Sequence, residues 1–529
     1  MGVLLDFAAP LCVLSALAEV ALSQSTATAP GQPLQTGPVG QFQIVGESLV
    51  SAQQLFLGTE DKVYIVDKVE NNPGQVNGHP AWAVEYGVAA NNAKPLDIVT
   101  NSFCAGGNVM GDGTWLNVGG NPSPLSQTGG APYDDPDGRQ SLRLLNPCDD
   151  NSCTWRVFGD MTTQRWYPSV ETLEDGSLII LGGCKNGGYV NDAGQDNPTY
   201  EFFPSKGDPI PSQILQTTLP TNLYPLTQTG IPPSLITTLT EETPLDPIPD
   251  AVRTYPASAG TIMLPLTPAN NWSATVLFCD GCPTWNIAAN PTSTSCGSYT
   301  QDDPLPEGRS MANFIFLPDG RVLCTAGYGN DTWAIGQSYA DKPVLQPIIY
   351  DPSAPKGSRW SSQGLSPSTV PRMYHSAATL LPDGAGITYP TEYRVEKFYP
   401  SYYNERRPEP HGILKQLSYG GPYFDISLDS QDLFGNVQNV QSAKVIVIRT
   451  GFSTHSMNMG QRYVELQSSY TGYENNTAIL HVNQLPPNPA VLVPGPALMF
   501  VVVNGIPSVG VQVMVGSGKV EQQTCRLIR

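Results

Sequence analysis

Tyr167-Pro-Ser-Val-Glu-Thr-Leu-Glu-Asp175-Gly-Ser-Leu-Ile-Ile-Leu-Gly-Gly183 reads as an apolar strand, an Asp-Gly turn and a second apolar strand ending in two glycines. Asp-Gly between apolar runs is a strong hairpin signal, because tight hairpin turns need positive φ. The same grammar recurs in Cys104-Ala-Gly-Gly-Asn-Val-Met-Gly-Asp112-Gly-Thr-Trp-Leu-Asn-Val-Gly-Gly120, in Met311-Ala-Asn-Phe-Ile-Phe-Leu-Pro-Asp319-Gly-Arg-Val-Leu-Cys-Thr-Ala-Gly327 and in Tyr374-His-Ser-Ala-Ala-Thr-Leu-Leu-Pro-Asp383-Gly384. In three of these segments an arginine stands just upstream: Arg165, Arg309 and Arg372. Hairpins repeated at intervals of tens of residues predict an all-β fold, a kelch-type β-propeller. The span 42–405 has room for about seven blades of about 50 residues each. Counting back from each turn puts Cys104, Tyr167, Met311 and, with a one-residue slip, Tyr374 at one position of the repeat. Such positions share a radius and a height, so these residues are expected to converge near the axis at one end. The last repeat departs from the pattern. After Gly384 the chain runs Ala-Gly-Ile-Thr-Tyr-Pro-Thr-Glu-Tyr-Arg-Val-Glu, without the apolar strand and Gly-Gly, so a blade shortened by about ten residues is expected there.

The composition agrees with many short strands and tight turns: 51 Gly and 50 Pro in 529 residues, 40% hydrophobic and only 14% charged. A net charge of −19 argues against nucleic acid and anionic membrane as partners, since such a surface repels polyanions. An apolar stretch from Phe7 to Leu22 followed by Ser23-Gln24-Ser25 reads as a secretory signal over residues 1–23, although Asp6 and Glu19 intrude and no basic residue precedes it. Ten cysteines are present, and without Cys12 of the leader nine remain, an odd number for an exported chain. Cys148 and Cys153 are close enough in sequence to bridge locally, and four disulfides would leave one cysteine with another task. Asn271, Asn330 and Asn475 open Asn-x-Ser/Thr sequons, as in an exported glycoprotein.

Residues 25–40 read as a flexible leader, and 205–250, dense in Pro, Thr and Leu, as a surface excursion. From Arg406 the character changes: Lys444-Val-Ile-Val-Ile-Arg449, Arg462-Tyr-Val-Glu-Leu466, Ala478-Ile-Leu-His-Val482, Ala497 to Val503 and Val509 to Val515 are short strands. Their number and rhythm over 406–529 predict an immunoglobulin-like sandwich.

Five histidines exist: His79, His375, His411, His455 and His481. From spacing alone His375 and His455 are ordinary part-buried residues. No zinc pattern, dinucleotide fingerprint or nucleophile elbow occurs. Two imidazoles with two phenolates would form an N2O2 set suited to Cu(II). Oxidising an alcohol or aldehyde removes two electrons where copper takes one, and a phenolate cross-linked to sulfur would supply the second and use the odd cysteine.

Lys94 to Gly107, Arg165-Trp-Tyr167-Pro, Arg372-Met-Tyr374-His375-Ser-Ala-Ala and Ser453-Thr-His455-Ser-Met-Asn-Met-Gly-Gln-Arg462 together resemble the copper-radical oxidases, specifically the glyoxal oxidase branch of the galactose oxidase family. The resemblance runs from about residue 42 to 525. It implies a seven-bladed propeller followed by an immunoglobulin-like domain whose loop returns a histidine to the propeller. It implies one copper ion held by Tyr167, Tyr374, His375 and His455, with a Cys104–Tyr167 thioether carrying a tyrosyl radical and Tyr374 as axial ligand and proton acceptor. The implied partners are a small aldehyde or alcohol and O2, which leaves as H2O2. The chain is expected to act as a secreted monomer, with no nucleic acid and no membrane. Two other readings stay open on the residues: a catalytically silent propeller that binds protein or glycan, and a propeller hydrolase of glycans. The altered repeat after Gly384 adjoins the Tyr374-His375 pair, so loss of its second strand would loosen the site.

Overall fold

The computed structural model describes residues 26–27, 36–122, 137–186, 193–212, 260–279, 291–294, 298–309, 311–325, 328–330, 333–334, 337–338, 341–372, 375–383, 386–389 and 392–526. The leader 1–23, most of the excursion 205–250 and Tyr374 lie outside these residues. The described chain is all-β apart from short 3-10 turns. Thr26–Ala27, inside the segment expected to be a flexible leader, pairs with Ile413–Leu414.

Among the described residues up to about 400 there are six antiparallel meanders. They begin with the strands Gln54–Leu57, Gly106–Val109, Ser169–Thr172, Gly260–Met263, Asn313–Phe316 and Ala377–Leu380. Where their side chains are described these first strands are buried throughout. They touch one another in sequence: Gly106–Val109 lies against Ser169–Thr172, Gly260–Met263 against Asn313–Phe316, and Ala377–Leu380 against both Asn313–Phe316 and Gln54–Leu57. Phe42–Glu47 supplies the outer strand of the sheet that starts at Ala377, so the beginning and end of this region close on each other.

The Asp-Gly steps form one device. Gly113, Gly176 and Gly320 adopt φ of 89°, 78° and 93°. Their N–H groups donate to the carbonyls of Met110, Leu173 and Leu317 at 3.0, 2.9 and 3.0 Å. The Asp112, Asp175 and Asp319 carboxylates accept the N–H two residues on, at 2.9, 3.0 and 3.1 Å. Asp thus completes the turn with its side chain and Gly takes the left-handed step, which is why the pair recurs.

The sheet beginning at Ala377 differs from expectation. Gly386–Tyr389 pairs in register with Ala377–Leu380 on one side and with Arg394–Phe398 on the other, so a second strand is present and the sheet has four strands. What is short is the connection from second to third strand: residues 390–393, against 119–140 and 182–198 in the sheets starting at Gly106 and Ser169. An apolar run and a Gly-Gly are not required for a strand whose hydrogen bonds come from both neighbours.

Residues 413 to 526 form two main sheets over one core. Val445, Val447, Val464, Met499 and Val513 of one sheet meet Ile426, Leu428, Leu480 and Val482 of the other. The larger sheet is apolar on its second face as well: Ile446, Ile448, Tyr463, Leu498, Phe500 and Val502 join the core of the N-terminal sheets. From this doubly buried sheet the chain sends out a hairpin, Phe452–Thr454 and Met457–Met459, which pairs with Gln54–Leu57. Ala378 N donates to Ser453 Oγ at 3.1 Å and Asn458 Nδ2 to the Phe314 carbonyl at 3.2 Å. The hairpin is therefore held among the first strands of three sheets.

Candidate metal centre

In an antiparallel four-stranded sheet the entry to the first strand and the connection from second to third strand lie at the same end. Cys104, Tyr167, Met311 and His375 each stand two residues before a first strand. All four adopt left-handed backbone, with φ of 58°, 63°, 57° and 60°. The residue equivalent to Tyr167 is thus His375 rather than Tyr374, so the counted slip was real and resolves onto the histidine. A non-glycine residue in this region is strained by roughly 1 kcal/mol or more. The bend redirects one side chain per sheet from the strand ladder towards the centre. His455, at the tip of the inserted hairpin, is left-handed as well, with φ of 50°.

These bends are braced from below. Arg165, fully buried, donates to Glu201 Oε1 at 3.0 Å and to the Gly182 and Thr199 carbonyls at 2.7 and 2.9 Å. Arg372 donates to Glu396 Oε2 at 2.8 Å and to the Arg394 carbonyl at 3.1 Å. Glu201 and Glu396 are each the third residue of a third strand. In the sheet beginning at Gly106 that position holds Arg143, which reaches the Asn101 and Gly119 carbonyls at 3.2 and 2.7 Å. The guanidinium there comes from the strand side, which explains why no arginine precedes Cys104.

The bends bring Cys104, Tyr167, His375 and His455 into one buried cluster; the largest exposure among them is 8%, at His375. The Tyr167 N–H donates to the Cys104 carbonyl at 3.0 Å, so the two turns touch directly. Cys104 Sγ lies 4.0 Å from His375 Nε2. The His375 and His455 rings are 4.2 Å apart, and the Tyr167 ring is 4.8 Å from His455. The donor atoms of Cys104, His375 and His455 all fall within 4.8 Å of one another. Trp166 lies over Tyr167 with ring centroids 4.0 Å apart. It, Phe103 and Cys184 complete the apolar wall. Sequence reading had not singled out Trp166, and its place beside Tyr167 was the only signal.

Burial fixes the protonation of the set. It pushes the Cys104 thiol well up, with Tyr167 and Trp166 hydrogen bonds pulling the other way. Burial, assisted by the charge of Lys68, lowers His375 to about 3. Burial and then His375 hold His455 well below the ordinary histidine value. Both imidazoles are neutral with lone pairs available, as metal ligation requires. The His455 Nδ1 is engaged by Thr454 Oγ1 at 2.7 Å, which leaves Nε2 buried without a hydrogen-bond partner among the described residues. A buried nitrogen left unpaired costs about 1–3 kcal/mol unless something binds it. Two imidazoles, a phenol and a sulfur suit copper better than magnesium or calcium, which take oxygen donors. Tyr374, the remaining expected ligand, lies outside the described residues. Of the other histidines, His79 and His481 sit apart, paired with Asp97 and Asp425, and the one disulfide between described residues joins Cys148 to Cys153.

The glyoxal oxidase N-terminus family matches residues 68–235 and 240–402, and the galactose oxidase-like early set domain matches 407–515. Aldehyde oxidase GLOX of Vitis pseudoreticulata is 29% identical over 479 residues, covering 81% of this chain and 84% of that protein. Aldehyde oxidase GLOX1 of Arabidopsis thaliana is also 29% identical, covering 81% and 74%. Galactose oxidase of Gibberella zeae is 24% identical, covering 84% and 65%. A solved copper complex of a fungal alcohol oxidase of the AA5 family has the same fold, with a TM-score of 0.59 at 16% identity over 90% of this chain and 99% of that one. The left-handed turns, the inserted hairpin and the matched families lead to one assignment: the chain belongs to the glyoxal oxidase branch of the galactose oxidase-like copper-radical oxidases.

Proposed function

We propose that this chain is a secreted oxidase that converts small aldehydes of the glyoxal and methylglyoxal type to carboxylic acids while O2 becomes H2O2. The observation that carries this reading is the meeting of Cys104, Tyr167, His375 and His455, from four distant segments, in one buried cluster. Tyr167, Tyr374, His375 and His455 would hold the metal. Copper bound there would take one electron from the substrate, and the radical form of Tyr167 the other. His375 and His455 are neutral and oriented, the latter by Thr454. The aldehyde would react as its hydrate, so that water supplies the acid's second oxygen, and Tyr374 would take the proton from one hydroxyl of that gem-diol. A bond from Cys104 sulfur to the Tyr167 ring forms with loss of two hydrogens, which O2 accepts as H2O2. Phe103 and Trp166 keep water from the ring that bears the radical. In the same reading the six sheets belong to a seven-bladed propeller, and residues 406–529 form an immunoglobulin-like domain. The leader 1–23 is removed, and the product is a glycosylated monomer.

Aerated, copper-loaded protein should yield joined Cys104 and Tyr167 peptides lighter by two hydrogens than the separate pair. It should release H2O2 with methylglyoxal and not with galactose. Unjoined peptides from such protein would refute the proposal, and turnover of galactose alone would move it to the alcohol-oxidising branch.

A further inference from the structure

We infer that Lys68 makes this site selective for small aldehydes that carry a carboxylate, such as glyoxylate, over neutral ones. The inference rests on the oxidase reading above. Lys68 is the second residue of the connection between strands Lys62–Val66 and Ala83–Gly87. That connection lies at the end of its sheet where Cys104, Tyr167 and His375 turn inward.

The connection is fixed rather than free. The Lys68 N–H donates to Asp67 Oδ1 at 2.7 Å, and Asn72 Nδ2 donates to Asp67 Oδ2 at 2.9 Å. The Ser102 hydroxyl donates to the Asp67 carbonyl, tying Lys68 to the turn that bears Cys104. Across the next sheet, Tyr393 of the four-residue connection 390–393 donates to Asn72 Oδ1 at 3.1 Å. Lys68 keeps 40% of its side chain in solvent.

From this rim Lys68 faces the metal centre through one ring. Its Nζ lies 5.7 Å from the centroid of Phe103. Phe103 is half-buried and stands 6.0 Å from the His375 ring and 6.2 Å from Trp166. Among the described residues the ionic partner of Lys68 is Glu70, with Nζ 3.3 Å from Oε2, and Ser51 Oγ donates to Glu70 Oε1 at 2.9 Å. Asp67, the preceding residue, is buried, and burial first and then the Glu70 charge push its carboxyl well above the ordinary carboxylate range. An ammonium has three donors. Lys68 can therefore keep Glu70 and still receive a substrate carboxylate, which Glu70 repels. A two-carbon oxo acid held this way would lie beside Phe103, whose ring stands 6.0 Å from that of His375.

The test uses the copper-loaded full chain with Lys68→Met, Lys68→Arg and Glu70→Gln. Steady-state rates are compared for glyoxylate and methylglyoxal. Binding of acetate is followed by the Cu(II) spectrum, with acetamide as the neutral control. For Lys68→Met the glyoxylate-to-methylglyoxal ratio of kcat/KM should fall about tenfold, mainly through KM, as expected for a charge-assisted contact at a part-exposed site. Acetate should weaken by a similar factor. Lys68→Arg should restore both, and Glu70→Gln should move both in the opposite direction. An unchanged ratio, or acetate binding indifferent to Lys68, overturns the inference. If neither aldehyde is oxidised by the parent protein the oxidase reading fails, and the acetate titration still decides the role of Lys68.

Discussion

A left-handed residue is a poor place for a side chain unless the side chain is wanted there. Cys104, Tyr167, Met311 and His375 accept that strain at the same step of their sheets. Three of the four are groups able to bind or modify a metal centre; Met311 packs in the buried interior, 1% exposed. Replacing Cys104 by Ser should therefore leave the backbone and the two imidazoles in place. Copper uptake, read by the Cu(II) spectrum, should persist, while the joined peptide disappears and aldehyde oxidation falls at least a thousandfold, about 4 kcal/mol in the barrier. Persistent activity would mean that Tyr167 works without the sulfur. His455→Ala is the complementary change. On the proposed function it removes the one ligand that the C-terminal hairpin would bring, and it should weaken copper binding, measured by chelator competition, by at least tenfold. At this scale the sequence was legible because residue types are scarce: five histidines and an odd cysteine narrowed the choice before any geometry. Lys68 and Trp166 were not legible. Their place depends on where a connection folds, and neither residue type is unusual.

The inserted hairpin is the element on which the site depends, and its anchor is a buried acid. Glu171 lies on the first strand Ser169–Thr172, accepts the Gly460 N–H and faces Arg462 and Arg449. Burial raises its carboxyl to about 8 against the pull of those two cations. A carboxyl raised in the folded state retains its proton where the unfolded chain, near 4.5, has released it. Its contribution is therefore greatest below that lower value and declines as pH climbs to about 8, with a slope of up to about 1.4 kcal/mol per pH unit. Glu171→Gln imitates the protonated form. It should cost little at pH 5 and flatten the fall of Tm between pH 5 and pH 8; identical slopes in parent and variant would remove Glu171 from this account. Repeats such as Leu-Glu-Asp-Gly and Leu-Pro-Asp-Gly announced the sheets, since turn chemistry is local. The slip between Tyr374 and His375, and the strand Gly386–Tyr389, needed more than the turn. The first was open to the count, since eight residues back from Asp383 is His375, as eight back from Asp112, Asp175 and Asp319 is Cys104, Tyr167 and Met311, and Tyr374 stands nine back. The second depends on pairing with neighbours distant in sequence.

For the whole molecule, the consequence of a sheet buried on both faces is that the two halves cannot be independent. Val445 and Val447 face the C-terminal core while Ile446 and Ile448 face the N-terminal sheets, so Lys444-Val-Ile-Val-Ile-Arg449 is apolar at every interior position rather than at alternate ones. Across this contact Arg407, fully buried, donates to the Pro507 and Ser508 carbonyls on one side and the Asp383 carbonyl on the other. His455 rides on the same sheet's extension, so integrity of the interface and of the metal site should be lost together. Phe500 is fully buried in the shared core. Phe500→Ala leaves a cavity there and should cost about 3–5 kcal/mol. Calorimetry of the copper-loaded protein should give one transition, at which the Cu(II) spectrum is lost, and Phe500→Ala should move heat absorption and spectral loss down by the same interval. Two separate transitions, with copper released in only one and only the other moved by Phe500→Ala, would mean that the C-terminal domain merely leans on the sheets. In that case the hairpin alone, through Glu171, Ser453 and Asn458, would hold His455 at the centre.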